Sequence, residues 1–250
     1  MTRTAGASDL DGLPTWLATL SNALPSVCAE DLTHFLPPEQ GGRASAVLVL
    51  FGEGADGPDV LLIERASTMR SHAGQPAFPG GAQDPQDADA TACALREAQE
   101  EVGLDPATVE VLEVLPALWL PPSGFVVHPV IGYWQAPHPV HVVDPNEVAA
   151  VLRPSLAELV DPANRLRVTH PSGFTGPAFE VGGLLVWGFT AGLLDKLLEL
   201  GGWALPWNGD RRRELDPETI RLSLRTTAPR DSSARANSAH ANSALTQEFS

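Results

Sequence analysis

Basic side chains are scarce in this sequence. Its 250 residues include 16 Lys and Arg residues against 31 Asp and Glu residues, and Lys196 is the only lysine. The net charge of −15 argues against a general nucleic-acid-binding protein, because the phosphate backbone is bound chiefly through clustered basic side chains. A phosphate-containing ligand remains compatible with this composition, but arginine side chains or a divalent cation must then supply the positive charge.

Cysteines and long apolar runs are also scarce. The two cysteines, Cys28 and Cys93, form no CxxC motif, so the sequence predicts neither a disulfide framework nor a zinc–cysteine cluster. The amino terminus has no basic region followed by an apolar one and does not resemble a signal peptide. The longest mostly apolar run, 181–194, is shorter than the roughly 20 residues that span a bilayer. We therefore expect a cytoplasmic protein that does not bind a membrane.

Apolar periodicity predicts a mixed α+β domain. The predicted helices are 13–24, 91–102 and 189–200, and Pro154 divides 147–160 into a strand and a short helix. Between 66 and 90 the chain has too many Gly, Pro and Asp residues for regular structure, and such a long loop is usually functional. Strands are predicted at 46–51, 60–65, 109–120, 125–134, 140–143, 166–170 and 178–188.

The composition divides the chain into four parts. Residues 1–39 are predicted to form a helix and a linker, and 40–208 the main domain. A C-terminal extension follows at 209–225. Residues 226–250 are rich in Ser, Ala and Asn and almost devoid of large apolar side chains, which predicts a disordered tail.

Two short patterns resemble binding motifs but lack the required context. A GxGxxG pattern at 52–57 follows a predicted strand, yet a second strand rather than a helix comes after it, which favours a hairpin over a dinucleotide site. His138, His141 and Asp144 are three residues apart, but no helix places them on one face. We expect these three side chains to be solvated or hydrogen-bonded rather than metal ligands.

The acidic segment REAQEEVGL (96–104) carries the strongest chemical signal. On a helical wheel Glu97, Glu100 and Glu101 share an arc of about 100° opposite the apolar face. Such an arc is either a solvated surface with an Arg96–Glu100 pair or a site for a divalent cation. The two glycines of FPGG (78–81) favour the cation site, because glycine lets the backbone approach a ligand closely. Cys93 on the same helix is interpreted as a small packing residue.

These residues resemble the Nudix box, a loop–helix–loop with the pattern GX5EX7REUXEEXGU, where U is a bulky apolar residue. The matching positions are Gly81, Arg96, Glu97, Glu100, Glu101, Gly103 and Leu104. Asp87 stands where the pattern has Glu, with eight rather than seven residues before Arg96, so the pattern leaves its role open. Ala98 is a small residue at the apolar position U.

A second motif, upstream of the box, is similar to the signature of the coenzyme A pyrophosphatase branch of this family. That signature reads LLTxR, Ser or Ala, x3, Arg, x3, Gly, x3, FPGG. Here Arg65, Ala66, Arg70, Gly74 and 78–81 have the same spacing, and Ile63 replaces Thr. The segments 145–165 and 186–198 also resemble this branch, so the likeness extends over about residues 40–200.

The resemblance implies a Nudix fold, with a mixed β-sheet sandwiched between helices in an α/β/α arrangement. It implies hydrolysis of the diphosphate of coenzyme A, or of its thioesters or oxidised forms, to 3′,5′-ADP and 4′-phosphopantetheine. The alternatives are a Nudix hydrolase of another nucleoside diphosphate derivative, such as ADP-ribose or a dinucleotide, and a binding module that has lost the chemistry. Such a module is expected to lack box glutamates, and all three are present. The resemblance also leaves a homodimer open.

The resemblance further implies the roles of particular residues. Mg²⁺ or Mn²⁺ would be bound by Glu97, Glu100, Glu101 and the carbonyl of Gly81, with Arg96 orienting these carboxylates as part of the catalytic group. One of the three glutamates, or Glu147, would act as the general base. The substrate-binding residues are expected to be Arg65, Arg70, Gly74, Phe78 and Gly80, with the two arginines on the phosphates. His72 is interpreted as incidental.

Overall fold

The computed structural model describes residues 12–33, 37, 41–67, 74–120, 123–171, 173–217 and 219–220. Arg70, His72 and the predicted tail at 226–250 lie outside the described residues. The helices are α1 (Ala18–Ala23), α2 (Ala29–Leu32), α3 (Ala90–Val102), α4 (Leu156–Val160) and α5 (Gly188–Leu200), with 3₁₀ turns at Leu24–Ser26, Pro106–Thr108 and Pro162–Asn164. Within these residues no helix is long and apolar enough to cross a membrane.

Among the described residues, the strands form three sheets. In chain order they are β1 (Arg43–Gly54), β2 (Gly57–Val60), β3 (Leu62–Arg65), β4 (Pro76–Ala77), β5 (Gly80–Ala82), β6 (Val109–Val114), β7 (Leu118–Leu120), β8 (Phe125–Trp134), β9 (Val148–Leu152), β10 (Arg165–Thr169), β11 (Thr175–Val181), β12 (Leu184–Val186) and β13 (Arg212–Glu214). The largest sheet has the order β2-β1-β8-β6, with β5 paired to β1 and β7 to β8. Its central strands β1 and β8 are parallel and its other pairs are antiparallel.

The largest sheet is covered by helices on both faces. Successive side chains of a strand point to opposite faces, so a strand buried on both sides is a continuous apolar run, as β1 is. Leu48 is buried in one core cluster with Ala98 of α3. Val49 is buried in a second cluster with residues of α1 and α5, including Leu197. This arrangement confirms the predicted α+β fold with a mixed sheet between helices.

Two smaller sheets complete the described fold. One has the order β4-β3-β9 and the other has the order β12-β11-β10-β13. Strand β13 comes from the segment 209–225 and pairs in parallel with β10. The division of 147–160 is confirmed, because β9 ends at Leu152 and α4 begins at Leu156.

Several elements differ from the sequence prediction, and one of them is the strand predicted at 178–188, which is a hairpin of β11 and β12. The helix predicted at 13–24 is α-helical only at 18–23 and continues as a 3₁₀ turn. The predicted strand at 140–143 is wrong: the amides of His141 and Val143 donate to the carbonyls of Val102 and Glu101 at the end of α3. Those carbonyls lack partners within the helix, so an extended segment beside them satisfies both. The loop at 66–90 is not wholly irregular, because β4 and β5 lie within it.

The GxGxxG pattern forms a hairpin, as predicted. Gly54 of β1 pairs with Gly57 of β2 across a two-residue turn. A Cβ atom at Gly54 would overlap the carboxylate of Asp59. Asp59 is buried and forms an ion pair with Arg153 at 2.7 Å. Gly54 therefore makes room for a buried ion pair, and the pattern has a packing role.

Candidate functional site

Capping residues define both ends of helix α3, and small and apolar side chains along one face pack it against the sheet. The side chain of Asp89 accepts a hydrogen bond from the amide of Ala92 at 2.8 Å and caps the first turn. Gly103 ends the helix with φ of 70°, a conformation that favours glycine. Between the two ends Ala98 and Val102 are fully buried against the sheet. The small side chain of Ala98 is consistent with close packing at this interface.

Strand β5 lies directly over the acidic side of α3. The amide of Gly80 donates a hydrogen bond to Oε2 of Glu101 at 3.0 Å. A Cβ atom at Gly80 would overlap the carbonyl oxygen of Ala46 on β1, and one at Gly81 would lie 2.5 Å from Oε1 of Glu97. Contact with fixed backbone therefore requires glycine at position 80, whereas at position 81 the contact is with the flexible end of a carboxylate side chain.

The three box glutamates differ widely in exposure. Glu101 is 3% exposed, whereas 15% of the Glu97 side chain and 61% of the Glu100 side chain are exposed. If the acidic arc were only a solvated surface, Glu101 would be exposed as well. Its burial by β5 contradicts that interpretation and leaves Glu100 as the solvated member.

Burial makes the ionised forms of the Glu97 and Glu101 carboxylates unfavourable. It raises the pKa of Glu101 to about 8, although Arg65 and the Gly80 amide act in the opposite direction. Burial also raises the pKa of Glu97, against the effect of Arg96. The ion pair between Arg65 and Glu101 is long, since Nη1 of Arg65 lies 3.9 Å from Oε1. A nearby cation would offset this cost.

The donor set fits a hard divalent cation. Glu97, Glu100, Glu101 and the Gly81 carbonyl offer only oxygen atoms, which suit Mg²⁺ or Mn²⁺. Gly81 lies against the Glu97 carboxylate, so no side chain separates the Gly81 backbone from that carboxylate. Within the described ranges no three His, Cys, Asp or Glu side chains are already grouped as a metal site. The positive group beside Glu97 and Glu100 is instead the guanidinium of Arg96.

Arg96 connects the box helix to the preceding loop. Its Nε and Nη2 donate to the two carboxylate oxygens of Asp87, each at 2.9 Å. Its Nη1 donates to Glu97 at 3.0 Å and to Glu100 at 3.1 Å. The hydrogen bonds from Arg96 to Asp87 lower the pKa of Asp87 to about 2. Asp87, whose role the sequence left open, therefore holds the arginine that contacts two box glutamates.

Cys93 is a packing residue, as predicted. Its side chain is fully buried in the core cluster beneath β1. Burial raises the pKa of its thiol to about 11, so a thiolate is disfavoured. Its Sγ lies 3.7 Å from the carbonyl oxygen of Gly81.

The predicted substrate-binding residues lie in different environments. Arg65 lies beside Glu101, and the amide of Gly74 donates to the Arg65 carbonyl at 2.8 Å. The prediction that Phe78 binds substrate needs correction, because its side chain is 2% exposed and packs in the core. The amide of Gly80 donates to Glu101, and the prediction that Gly80 contacts substrate stays a prediction. Arg70 lies outside the described residues.

The histidine segment has a structural role, as expected. Nε2 of His138 accepts a hydrogen bond from the amide of Asp105 at 3.0 Å, and its ring contacts Trp134 edge-on. The oxygen of Asp144 accepts from the Asn146 amide at 2.8 Å. Glu147, which the resemblance offered as one candidate for the general base, follows this segment, and its charge raises the pKa of Glu97 and of Glu101. Its only signal was its place in a family-like segment.

Alanine substitutions at the two glycines of β5 should distinguish an effect on the stability of the fold from an effect on cation binding. We predict that Gly80→Ala lowers the free energy of unfolding by about 3 kcal/mol, because its Cβ meets backbone that cannot move aside. Gly81→Ala should lower it by less than about 1 kcal/mol, since the carboxylate end of Glu97 can rotate away. Urea unfolding measures both changes, and Mn²⁺ titration should show at least roughly tenfold weaker binding for Gly81→Ala.

Equal losses of stability in the two variants would contradict the different contacts assigned to them. Unchanged Mn²⁺ affinity in Gly81→Ala would contradict the placement of Glu97 in a cation site.

Replacing Asp87 with Asn should give a pH-dependent loss of stability. The pKa of Asp87 is lower in the folded chain than in the unfolded chain, so its ionised form stabilises the fold. We expect Asp87→Asn to lower the free energy of unfolding by about 2 kcal/mol at pH 7. The difference from wild type should persist down to about pH 5 and shrink as the pH falls toward 2.

Urea unfolding of both proteins between pH 7 and pH 3 checks this prediction. The matched control is Asp84→Asn, an exposed carboxylate in the same loop, which should change stability by less than about 0.5 kcal/mol. A difference that stays constant with pH would show that the Asp87–Arg96 pair is not its source.

Comparison with known proteins finds a matching family and similar relatives. The NUDIX domain family matches residues 42–171. The chain is 44% identical to a protein named uncharacterized Nudix hydrolase NudL from Cronobacter sakazakii over 167 residues, or 64% of this chain and 83% of that protein. It is 38% identical to the protein of the same name from Escherichia coli K12 over 185 residues, or 71% of this chain and 88% of that protein.

Among solved structures, the fold is similar to that of a Nudix hydrolase from M. smegmatis, RenU. The two share 20% sequence identity, and the match covers 68% of this chain and 91% of that one, with a TM-score of 0.47. The sequence matches carry the assignment, since the family covers more than half of the chain and includes the whole of α3 and β5. The chain belongs to the Nudix family, and the predicted Nudix fold is confirmed.

Proposed function

We propose that this Nudix hydrolase cleaves the diphosphate bond of coenzyme A, or of its thioesters or oxidised forms, to 3′,5′-ADP and 4′-phosphopantetheine. The observation that carries the proposal is the contact between two motifs. Arg65 belongs to the coenzyme A-type signature and Glu101 to the Nudix box, and their side chains lie 3.9 Å apart. The signature therefore supplies a guanidinium beside the acidic group of the box.

We assign cation binding to Glu97, Glu100, Glu101 and the Gly81 carbonyl. Nudix hydrolases generally use divalent cations, and the all-oxygen donor set of this chain suits Mg²⁺ or Mn²⁺. When bound, such a cation neutralises charge on a diphosphate and makes a water molecule more acidic. The buried Glu101 and half-buried Glu97 are the carboxylates that gain most from a nearby cation, because burial already raises their pKa values.

A backbone amide and two side chains hold Glu97, Glu100 and Glu101 in place before substrate binds. The Gly80 amide fixes one oxygen of Glu101, and Arg96 holds Glu97 and Glu100 while Asp87 holds Arg96. Such a supported arrangement lowers the reorganisation needed during reaction.

Arg65 is assigned to the substrate diphosphate. Its side chain is 19% exposed, and its Nε has no hydrogen-bond partner among the residues described. A guanidinium can donate two parallel hydrogen bonds to phosphate oxygens, so Arg65 can bind the substrate while its charge remains close to Glu101. We assign Arg70 of the same signature as a second phosphate contact.

Incubation with coenzyme A and either Mg²⁺ or Mn²⁺, followed by mass identification of products, tests the proposal. We predict 3′,5′-ADP and 4′-phosphopantetheine in equal amounts. Absence of 4′-phosphopantetheine with both cations would overturn it. ADP-ribose and a dinucleoside polyphosphate are included in the same panel, because cleavage of these alone would identify another Nudix substrate class.

Glu101→Gln tests the assignment of the acidic group in the same assay. It keeps the shape of the side chain and removes its charge, and we predict a loss of kcat/KM of at least about 100-fold. The matched control is Glu199→Gln on α5, whose exposed carboxylate pairs with Lys196 and should leave kcat/KM within about twofold. A Glu101→Gln variant as active as the control would contradict the site.

A further inference from the structure

Strands β10 and β13 carry a large share of the basic side chains of this acidic chain. The sequence has 16 Lys and Arg residues against 31 Asp and Glu residues. Several arginines lie on these two paired strands or directly before β13: Arg165, Arg167, Arg211, Arg212 and Arg213. Positive charge is therefore concentrated in the sheet β12-β11-β10-β13, away from α3, β3 and β5, which carry the cation site and Arg65.

These arginines divide between the two faces of the sheet. Arg165 and Arg167 are two residues apart on β10 and therefore point to the same face. Arg212 pairs with Arg167 in the parallel ladder and points to that face as well. Arg213, the next residue, points to the opposite face, where it pairs with Glu180. We refer to the face with Arg165, Arg167 and Arg212 as the arginine face.

Arg165 is the buried member of the arginine face. It is 1% exposed, and its guanidinium lies 4.5 Å from the ring centre of Phe179 and 4.7 Å from that of Trp207. Its Nη2 pairs with Asp195 of α5, whereas its Nε and Nη1 have no hydrogen-bond partner in the part of the chain that the structure describes. Stacking on this buried group fixes Trp207 over β10, where its ring centre is 5.9 Å from the Arg167 guanidinium.

Arg167 and Arg212 are exposed like charges on adjacent strands. Their Cα atoms are direct partners in the ladder of β10 and β13. Neither guanidinium forms an ion pair or a side-chain hydrogen bond with a residue in the described ranges. Two like charges this close repel each other and weaken the pairing of β13 with β10, and an anion between them would reverse the sign of that interaction. Glu214, two residues further along β13, adds an exposed negative charge at the edge of the same face.

Two adjacent guanidinium groups suit a phosphate group better than a carboxylate. A carboxylate has a single negative charge and two oxygen atoms, which one guanidinium can satisfy. A phosphomonoester carries a charge of about −1.5 to −2 at pH 7 and three oxygen atoms that accept hydrogen bonds strongly. It can therefore accept hydrogen bonds from Arg167 and Arg212 together, and its charge matches theirs.

We propose that Arg167 and Arg212 bind a phosphate group, in a site separate from the cation site of α3. The phosphate lies between the two guanidinium groups, beside Trp207 and the backbone of Gly209, where a Cβ atom would be 3.6 Å from Nε of Arg167. Because this ligand joins β10 to β13, its binding stabilises the folded chain. The inference does not depend on the proposed diphosphate hydrolysis, so either one can fail without the other.

Calorimetric titration of the full chain with inorganic phosphate and with adenosine 5′-monophosphate tests the site, without divalent cations and at constant ionic strength. We predict a dissociation constant below about 5 mM for at least one probe, and binding weaker by at least about fivefold in Arg167→Gln and in Arg212→Gln. The matched control is Arg213→Gln, on the opposite face of the same strand, which should bind within about twofold of wild type. Tighter binding of the nucleotide than of inorganic phosphate would identify a nucleoside phosphate as the ligand.

Two further measurements distinguish ligand binding from a structural role of these arginines. Without phosphate, Arg212→Gln removes the repulsion and should unfold at a urea midpoint equal to or above that of wild type, whereas saturating phosphate should make wild type the more stable protein. Glu214→Gln removes a negative charge from the arginine face and should bind phosphate about two- to fivefold more tightly than wild type.

Dissociation constants above about 5 mM for both probes would overturn the proposal. Losses of less than fivefold in both arginine variants would also overturn it, because the phosphate would then bind elsewhere on the chain. A urea midpoint of Arg212→Gln below that of wild type in the absence of phosphate would show that Arg212 stabilises the fold by itself, contrary to the proposal.

Discussion

The close approach of β5 to the acidic side of α3 is the contact on which the site depends. Gly80 lies against the backbone of β1, and its amide fixes Glu101, while Gly81 lies against the carboxylate of Glu97. A side chain at either position would meet backbone or carboxylate atoms. The same contact buries Glu101 and half-buries Glu97, two residues that a helical wheel places on an outer surface. The FPGG segment is thus chiefly a structural cover for the carboxylates, and Phe78 anchors it in the core.

Buried carboxylates would weaken the fold unless positive charge or hydrogen-bond donors offset their loss of water. The protein supplies part of this compensation through Arg65, the Gly80 amide and the Arg96–Asp87 pair. The compensation is incomplete, because burial still raises the pKa of Glu101 to about 8. A divalent cation held by these carboxylates would complete it, because its positive charge would offset theirs. The electrostatic cost and the proposed chemistry therefore have the same origin.

Sequence periodicity predicted the long elements and missed the short ones. The α3 and α5 helices and strands β1 and β8 each carry many apolar residues at one spacing, so their positions were clear. Strands β4 and β5 have two and three residues, rich in Gly and Pro, which leave no periodic signal. The burial of Glu101 was missed because a wheel represents one helix and omits the strand that covers it. The strand predicted at 140–143 failed because its amides bond to helix carbonyls, a tertiary contact without a local pattern.

Cation binding by Glu97 and Glu101 is the central claim, and diffraction data collected at the manganese absorption edge test it most directly. Crystals grown with Mn²⁺ should give an anomalous peak within coordination distance, about 2.0–2.3 Å, of carboxylate oxygens of both Glu97 and Glu101. The Gly81 carbonyl should lie in the same coordination sphere. Peaks found only at other carboxylates, or none beside these two at saturating Mn²⁺, would contradict the account.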